Sequence, residues 1–316
     1  MMMNRAFELR DGVVSRLRTA GMFGAPGLVP TLRAYSGIRV RQTGETPDTG
    51  APLGRLGTLD VRLASTAAEI RQAQKLRYQV FYGDGPAIAD TTTRLARRDV
   101  DAFDAICDHL LVIDHGIEHA QRKLPVVGTY RLLRQDMAER HGGFYTANEF
   151  DISHLVARHP DKRFLELGRS CVLPPYRNKR TVELLWHGVW SYVRRNNMDV
   201  MIGCASLEGT DPDKLALPLS FLHHFARAPE PWNATALPQR RVEMNRLPKA
   251  RVDPKEALRR LPPLIKGYLR LGAQIGDGAV IDRQFGTTDV LIVLPVSAIT
   301  SRYIGHFGAD ASRHAA

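Results

Sequence analysis

Residues 163–180 read Arg163-Phe164-Leu165-Glu166-Leu167-Gly168-Arg169-Ser170-Cys171-Val172-Leu173-Pro174-Pro175-Tyr176-Arg177-Asn178-Lys179-Arg180. The apolar run Phe164–Val172, interrupted by Glu166 and Arg169, predicts a buried strand that carries two charges. Pro174 and Pro175 break it, and Arg177, Lys179 and Arg180 open a helix. A helix start that faces a strand end offers free N–H groups and a positive dipole end to phosphate or pantetheine groups. A carboxylate beside such a start can take the proton of a reacting amine.

Outward from this stretch, segments of strand and helix period alternate. Leu59–Ala64, His109–Asp114, Val126–Leu133 and Val200–Leu207 read as strands. Val200–Leu207 is almost wholly apolar, as expected where both faces of a sheet are covered. Ala67–Phe81 reads as an amphipathic helix with Ile70, Ala73, Leu76, Val80 and Phe81 on its apolar side. Arg180–Arg195 is a second, striped by Val182, Leu185, Trp186, Val189 and Val193, and Lys214–Phe225 is a short third. Residues 83–108 read as a charged loop. After 226, seven prolines from Pro229 to Pro263 mark a linker-like stretch, followed by a helix over Leu264–Ala273 and strands over Ala279–Asp282 and Asp289–Leu294. This order predicts an α/β (α+β) layered domain: a core over 58–225, and a C-terminal elaboration over 226–316 whose strands complete the same sheet.

Of the 316 residues 44% are hydrophobic and 24% charged, enough for a sizeable core. Lys and Arg number 44 against 33 Asp and Glu, giving a net charge of +11. That balance favours a polyanionic partner: an acidic carrier protein, an anionic membrane face or nucleic acid. No nucleic-acid motif and no interleaving of exposed aromatics accompanies it, which argues against the last. Cys107, Cys171 and Cys204 have no metal-ligand spacing and read as reduced core residues. No run approaches the ~20 apolar residues of a membrane span, and no signal peptide is recognisable. The expectation is a cytoplasmic protein, with peripheral contact at the inner membrane face left open. Residues 1–57 mix Arg5, Arg10, Arg16, Arg18, Arg33, Arg39 and Arg41 with scattered apolar residues and glycines. They read as a flexible basic leader or as a segment that touches anionic lipid.

Glu166 and Arg169 are the first candidates for chemistry. Attack of an amine on a thioester needs a base, and the tetrahedral intermediate needs cationic or N–H stabilisation. Alternation puts Glu166 and Gly168 on one face, and Gly168 leaves room for a ligand. Arg169 joins that face only if a bulge intervenes; otherwise the two charges form a solvent-facing ladder pair. Asp99, Asp101, Asp104 and Asp108 could clamp a cationic substrate, or solvate a loop shared with Arg94, Arg97 and Arg98. Arg177, Lys179 and Arg180 could hold phosphate, or decorate the surface. The histidines show no consistent ligand pattern, and no metal site is expected.

Several of these residues coincide with a known pattern. Leu76-Arg77-Tyr78-Gln79-Val80-Phe81, Asp101-Ala102-Phe103-Asp104, Arg131 and Glu166-Leu167-Gly168-Arg169 resemble the ordered signature of acyl-homoserine-lactone synthases, which have the Gcn5-related N-acyltransferase fold. The fuller resemblance is to ornithine N-acyltransferases of ornithine-lipid synthesis. It adds residues 107–112, 166–177, 262–273 and 285–295, and covers roughly 58–310. This resemblance implies a central mixed sheet flanked by helices. It further implies transfer of a 3-hydroxyacyl group from acyl carrier protein to the α-amine of ornithine, with no bound cofactor and no metal. Carried over by position, Arg77, Phe81, Asp101, Asp104, Arg131, Glu166 and Arg169 line the site. Glu166 is then the general base, and Asp101 and Asp104 face the substrate's ammonium groups. Arg131 and Arg169 take its carboxylate or hold the acids in place. The chain departs from autoinducer synthases in having Tyr82-Gly83-Asp84 where they place a Trp. It also departs from coenzyme-A-dependent enzymes in having Arg177-Asn178-Lys179-Arg180 in place of glycines, which suits a carrier protein's acidic surface. The alternatives are a lactone synthase and a non-catalytic binder of anionic surfaces.

Overall fold

A computed structural model describes residues 50–116 and 125–299. Most of the expected leader, residues 1–49, lies outside the described residues, but Gly54–Leu56 already forms a strand of the domain. Nine strands make one sheet: β1 (Gly54–Leu56), β2 (Leu59–Leu63), β3 (Asp108–Asp114), β4 (Val126–Arg134), β5 (Phe164–Val172), β6 (Val200–Glu208), β7 (Arg241–Val242), β8 (Gln274–Asp282) and β9 (Thr287–Pro295). Their order is β1-β2-β3-β4-β5-β6-β9-β8-β7. Every neighbouring pair is antiparallel except β5 with β6, so the sheet is mixed and the two late strands do complete it.

The helices are α1 (Ala67–Tyr78), α2 (Thr91–Ala96), α3 (Gln135–Arg140), α4 (Ile152–Ala157), α5 (Lys179–Arg195), α6 (Ala216–Phe225), α7 (Pro254–Arg260) and α8 (Pro263–Leu271). None is long and apolar enough to cross a membrane. On one face of the sheet, Leu185, Val189 and Val193 of α5 and Ile265 and Leu271 of α8 bury Val61, Leu110, Leu165 and Ile292. On the other, Met137 of α3 and Ile152 and Leu155 of α4 bury Phe164, Ile202, Leu291 and Val293. Two covered faces explain the apolar runs Val200–Ala205 of β6 and Val290–Pro295 of β9.

Local signals set the element starts. Thr66 and Glu69 form a capping box on α1, and Arg62 pairs with Glu69. Burial alone would raise the Glu69 pKa, but the Arg62 guanidinium and the Ser65 donors hold it down at about 2. The Asn178 side chain accepts the Thr181 N–H at 3.1 Å and caps α5. Helix α1 runs on into a single π turn, Gln79–Gly83. The stretch expected to be a plain charged loop contains α2 and a 3₁₀ turn, Ala102–Ala105.

The proline-rich stretch is not a linker. Ala228 donates to Ile275 O at 2.8 Å, Ala236 to Asp277 O at 2.8 Å and Leu237 to Glu149 O at 2.8 Å. Prolines forbid a continuous ladder because they lack N–H, so the chain docks along the sheet edge one bridge at a time.

Strands β5 and β6 pair only over Phe164–Glu166 and Val200–Ile202, and then part. At the fork the backbones touch: a Cβ on Gly203 would sit 2.3 Å from Leu167 O. Just beyond, β4 pairs Thr129 with Cys171 and Arg131 with Gly168, so Arg169 and Ser170 together oppose Tyr130. This is a bulge on β5, and Arg169 takes a left-handed φ of 50° within it. Gly203→Ala must spread the fork; we expect a loss of about 1–3 kcal/mol by denaturant titration, together with reduced turnover. Unchanged stability would mean that the fork tolerates a wider spacing.

Candidate active site

A cavity of about 290 Å³ fills the opening between β5 and β6. Glu166, Gly168 and Arg169 line it from β5, Tyr130 and Arg131 from β4, and Cys204 and Ser206 from β6. The β8–β9 hairpin adds Asp282, Phe285 and Asp289, α8 adds Tyr268, and Phe81 and Pro86 come from the chain around the π turn. Ile88 donates its N–H to Gln284 O at 2.7 Å, which fastens the segment after the π turn to the hairpin.

Behind one wall, three arginines and three aspartates alternate in a closed ring. Arg77 binds Asp104 through two 2.8 Å hydrogen bonds, and its Nε lies 2.8 Å from Asp99 Oδ2. Arg131 reaches Asp104 at 3.2 Å and Asp101 at 2.6 Å. Arg169 closes the ring on Asp101 and Asp99, both at 3.2 Å. Gln74 adds a 3.0 Å donor to Asp104. Ring charges cancel, as buried ions require. Burial opposes ionisation of Asp104 and Asp101, but the Arg77 and Arg131 guanidiniums outweigh it and hold both below the usual carboxylate range. The same pairing keeps Arg77, Arg131 and Arg169 charged despite their burial. The Arg169 guanidinium lies 4.9 Å from the ring centroids of both Tyr145 and Phe285.

Glu166 stands outside the ring and makes no ion pair with Arg169, so the ladder-pair reading does not hold. Its carboxylate accepts the Thr146 N–H at 2.6 Å, the Tyr145 N–H at 3.0 Å and the Thr146 hydroxyl. Those donors fix its orientation and leave one of roughly four lone-pair positions for another partner. Burial pushes its pKa up and the Thr146 and Tyr145 donors only partly offset this, leaving a carboxyl easier to protonate than usual.

From the β8–β9 hairpin Asp282 and Asp289 line the cavity, and Glu149, just behind them, brings a carboxylate oxygen within 4.8 Å of theirs. The Cys204 thiol donates to Glu149 Oε2 at 3.2 Å, and Arg240 lies 3.5 Å from Oε1. Burial, then the Asp289 charge, pushes Glu149 up to about 7. Burial, reinforced by Asp282, also raises Asp289 against its Ser206 and Thr287 donors.

Of the residues expected at the site, Phe81, Arg131, Glu166 and Arg169 meet on the cavity wall. Arg77, Asp101 and Asp104 stand in the ring behind it, each paired with opposite charge, so the acids do not form a solvated loop. Arg177, Lys179 and Arg180 are exposed at the start of α5, outside the cavity. All three cysteines are free: Cys171 is buried in the core, and Cys107 and Cys204 pack against core residues while also lining the cavity. Sequence reasoning missed Tyr145, Thr146, Glu149, Asp282 and Asp289. A lone acid leading the apolar run of β9 was the one available signal for Asp289. Asp104→Asn should cost about 3–5 kcal/mol in chemical denaturation, because it opens the ring and leaves Arg77 and Arg131 with one buried counter-charge each. A loss below about 1 kcal/mol would show the ring to be dispensable.

Comparison with known proteins assigns the architecture. Residues 76–187 match the family model described as an acetyltransferase (GNAT) domain. The L-ornithine N(alpha)-acyltransferase of Rhizobium meliloti (strain 1021) is 52% identical over 295 residues, covering 93% of this chain and 98% of that protein. That of Brucella abortus (strain 2308) is 54% identical over 264 residues, covering 83% and 92%. Among solved structures, an N-acyl amino acid synthase from uncultured soil microbes superposes with a TM-score of 0.41 at 9% identity, covering 77% of this chain and 92% of that one. An acyl-homoserine-lactone synthase superposes with a TM-score of 0.43 at 11% identity, covering 79% and 94%. With more than half of the aligned residues identical across nearly its whole length, the chain is an acyltransferase and belongs to the L-ornithine N(alpha)-acyltransferase family, with a GNAT domain at its centre.

Proposed function

We propose that the chain transfers a 3-hydroxyacyl group from the pantetheine thioester of acyl carrier protein to the α-amine of ornithine, giving lyso-ornithine lipid. What supports the reading above all is a buried carboxylate, Glu166, held by three donors on the wall of a cavity in the fork of β5 and β6. Glu166, directly or through one water, takes a proton from the α-ammonium. The freed nitrogen attacks the thioester carbonyl, the C–N bond forms and the C–S bond breaks. The leaving thiolate takes up the second proton that the nitrogen sheds on becoming an amide, and departs as the pantetheine thiol. No acyl-enzyme is needed. Arg169, with Arg131 behind it, offers positive charge to the substrate carboxylate and to the developing oxyanion. Arg77, Asp101 and Asp104 position those two arginines. Thioester and ornithine suffice as substrates, so no bound cofactor or metal is invoked.

The capped N-terminus of α5, with exposed Arg177, Lys179 and Arg180, suits an acidic carrier surface and the phosphate of its arm. The amphiphilic product makes peripheral membrane contact a corollary of this reading.

The direct test is thiol release from 3-hydroxyacyl–carrier protein with ornithine, followed by mass spectrometry of the lipid extract. Release that needs ornithine and yields N-acyl-ornithine supports the reading; release only with S-adenosylmethionine would reassign the acceptor. Glu166→Gln should lower turnover by about two to four orders of magnitude with the fold intact, and near-wild-type turnover would remove Glu166 from the base role. Arg177→Glu combined with Lys179→Glu should raise the KM for the carrier far more than that for ornithine. Carrier kinetics unchanged and indifferent to salt would reject the patch.

A further inference from the structure

Resting on the reading that the acceptor is ornithine, we infer that Asp289 and Asp282, with Glu149 close behind them, form the part of the cavity that selects a diamino acid, by receiving the cationic side-chain amine. Ornithine carries two ammonium groups. The proposed reaction consumes one at Glu166, and the other must be accommodated wherever the acceptor's side chain ends.

The ring is less suited to that purpose, since each of its aspartates already touches two arginines. The acids around the β8–β9 hairpin are different. Asp289 is only 7% exposed and lines the cavity, yet no cation among the described residues lies within ion-pair distance of it. Asp282, also on the wall, likewise has no ion pair among them. Glu149 has Arg240 alone, at 3.5 Å. Their carboxylate oxygens lie within 4.8 Å of one another, so ionised together they hold an excess of buried negative charge. Such a group is stable with a shared proton or with a cation between its members, and the cavity opens directly onto it.

Spacing agrees with the assignment. Glu166, Cys204 and Asp289 all line the cavity: Glu166 stands opposite Ile202 of β6, Cys204 two residues further on, and Asp289 opposite Ser206. Thr146 Oγ1, which donates to Glu166, lies 3.8 Å from the Cys204 sulfur, and that sulfur lies 3.2 Å from Glu149 Oε2. The two nitrogens of an extended ornithine are roughly 6 Å apart, from ordinary bond lengths, so one acceptor can address two groups of carboxylates on the same cavity.

The test compares ornithine with norvaline, the same skeleton without the side-chain amine, by thiol release with acyl–carrier protein. Wild-type enzyme should prefer ornithine by about a hundredfold or more in kcat/KM, because norvaline leaves the carboxylates unpaired. Asp289→Asn should cut kcat/KM for ornithine by about ten- to a hundredfold while leaving that for norvaline unchanged or higher, and Glu149→Gln should do the same more weakly. If both acceptors fall by one common factor in either variant, the carboxylates have only a structural role and the inference is overturned. It is equally overturned if ornithine preference survives both substitutions, or if preference appears only when a divalent cation is added and vanishes with chelator. Should Asp289→Asn not fold, Glu149→Gln together with the wild-type thermal shift by ornithine against norvaline decides the matter: equal shifts overturn the proposal. A wild-type enzyme that releases no thiol with ornithine at all would instead defeat the proposed function.

Discussion

The ring of Arg77, Asp104, Arg131, Asp101, Arg169 and Asp99 is the constraint on which the rest of the site depends. Each ion loses several kcal/mol of hydration on burial, and only contact with both of its neighbours restores that. The ring therefore forms as a whole or not at all. It ties α1 and the 3₁₀ turn after α2 to β4 and β5, elements that share no ladder with one another except β4 with β5. It also accounts for the least regular point of the sheet. A non-glycine residue in the left-handed region costs about 1–2 kcal/mol, and at Arg169 two ion pairs and two aromatic faces offset it. Without the bulge, Arg169 would leave the ring open, and Asp99 and Asp101 would each lose a counter-ion.

The same bulge follows the fork of β5 and β6. Parallel strands that separate must leave backbone groups and side chains unpaired on both lips, and an unfilled gap in a sheet is costly. Here the gap is walled by the hairpin of β8 and β9, by α8 and by the segment that follows the π turn. The C-terminal elaboration is thus part of the site: Tyr268, Phe285 and Asp289 all reach the cavity from beyond residue 226.

How much of this could be read from sequence follows from the range of the forces involved. The limits of β5 coincide with the apolar run Phe164–Val172, and α5 begins within one residue of its basic start, because strand period and capping are local properties. The stripe on α5 was legible for the same reason. Arg94, Arg97 and Arg98 are the nearest arginines to the acidic stretch in sequence, yet its counter-ions are Arg77, Arg131 and Arg169, brought in by strand pairing. No local reading ranks distant partners above adjacent ones. The need for a bulge at Arg169 was visible as a condition of strand alternation; its presence was not, since alternation fixes faces only while register holds. Glu149 sits between elements with no period to mark it. The proline-rich stretch misled for a related reason: prolines predict a lack of ladders correctly and say nothing about docking through isolated bridges.

The two groups of carboxylates around the cavity illustrate one electrostatic rule with opposite outcomes. In the ring, charges alternate and cancel, so its aspartates stay ionised. Around the β8–β9 hairpin, Glu149, Asp282 and Asp289 outnumber their cations, so Glu149 is pushed up to about 7 and Asp289 above its usual range. A fold that needed only rigidity could have balanced both groups, because a buried unpaired carboxylate costs stability wherever it stands. An imbalance held on the cavity wall instead gives that part of the cavity a negative charge that favours a cationic group. Under the proposed reading, an acceptor whose side-chain cation lies against these acids keeps its α-nitrogen for Glu166, so the charge that chooses the acceptor also chooses which of its two amines is acylated.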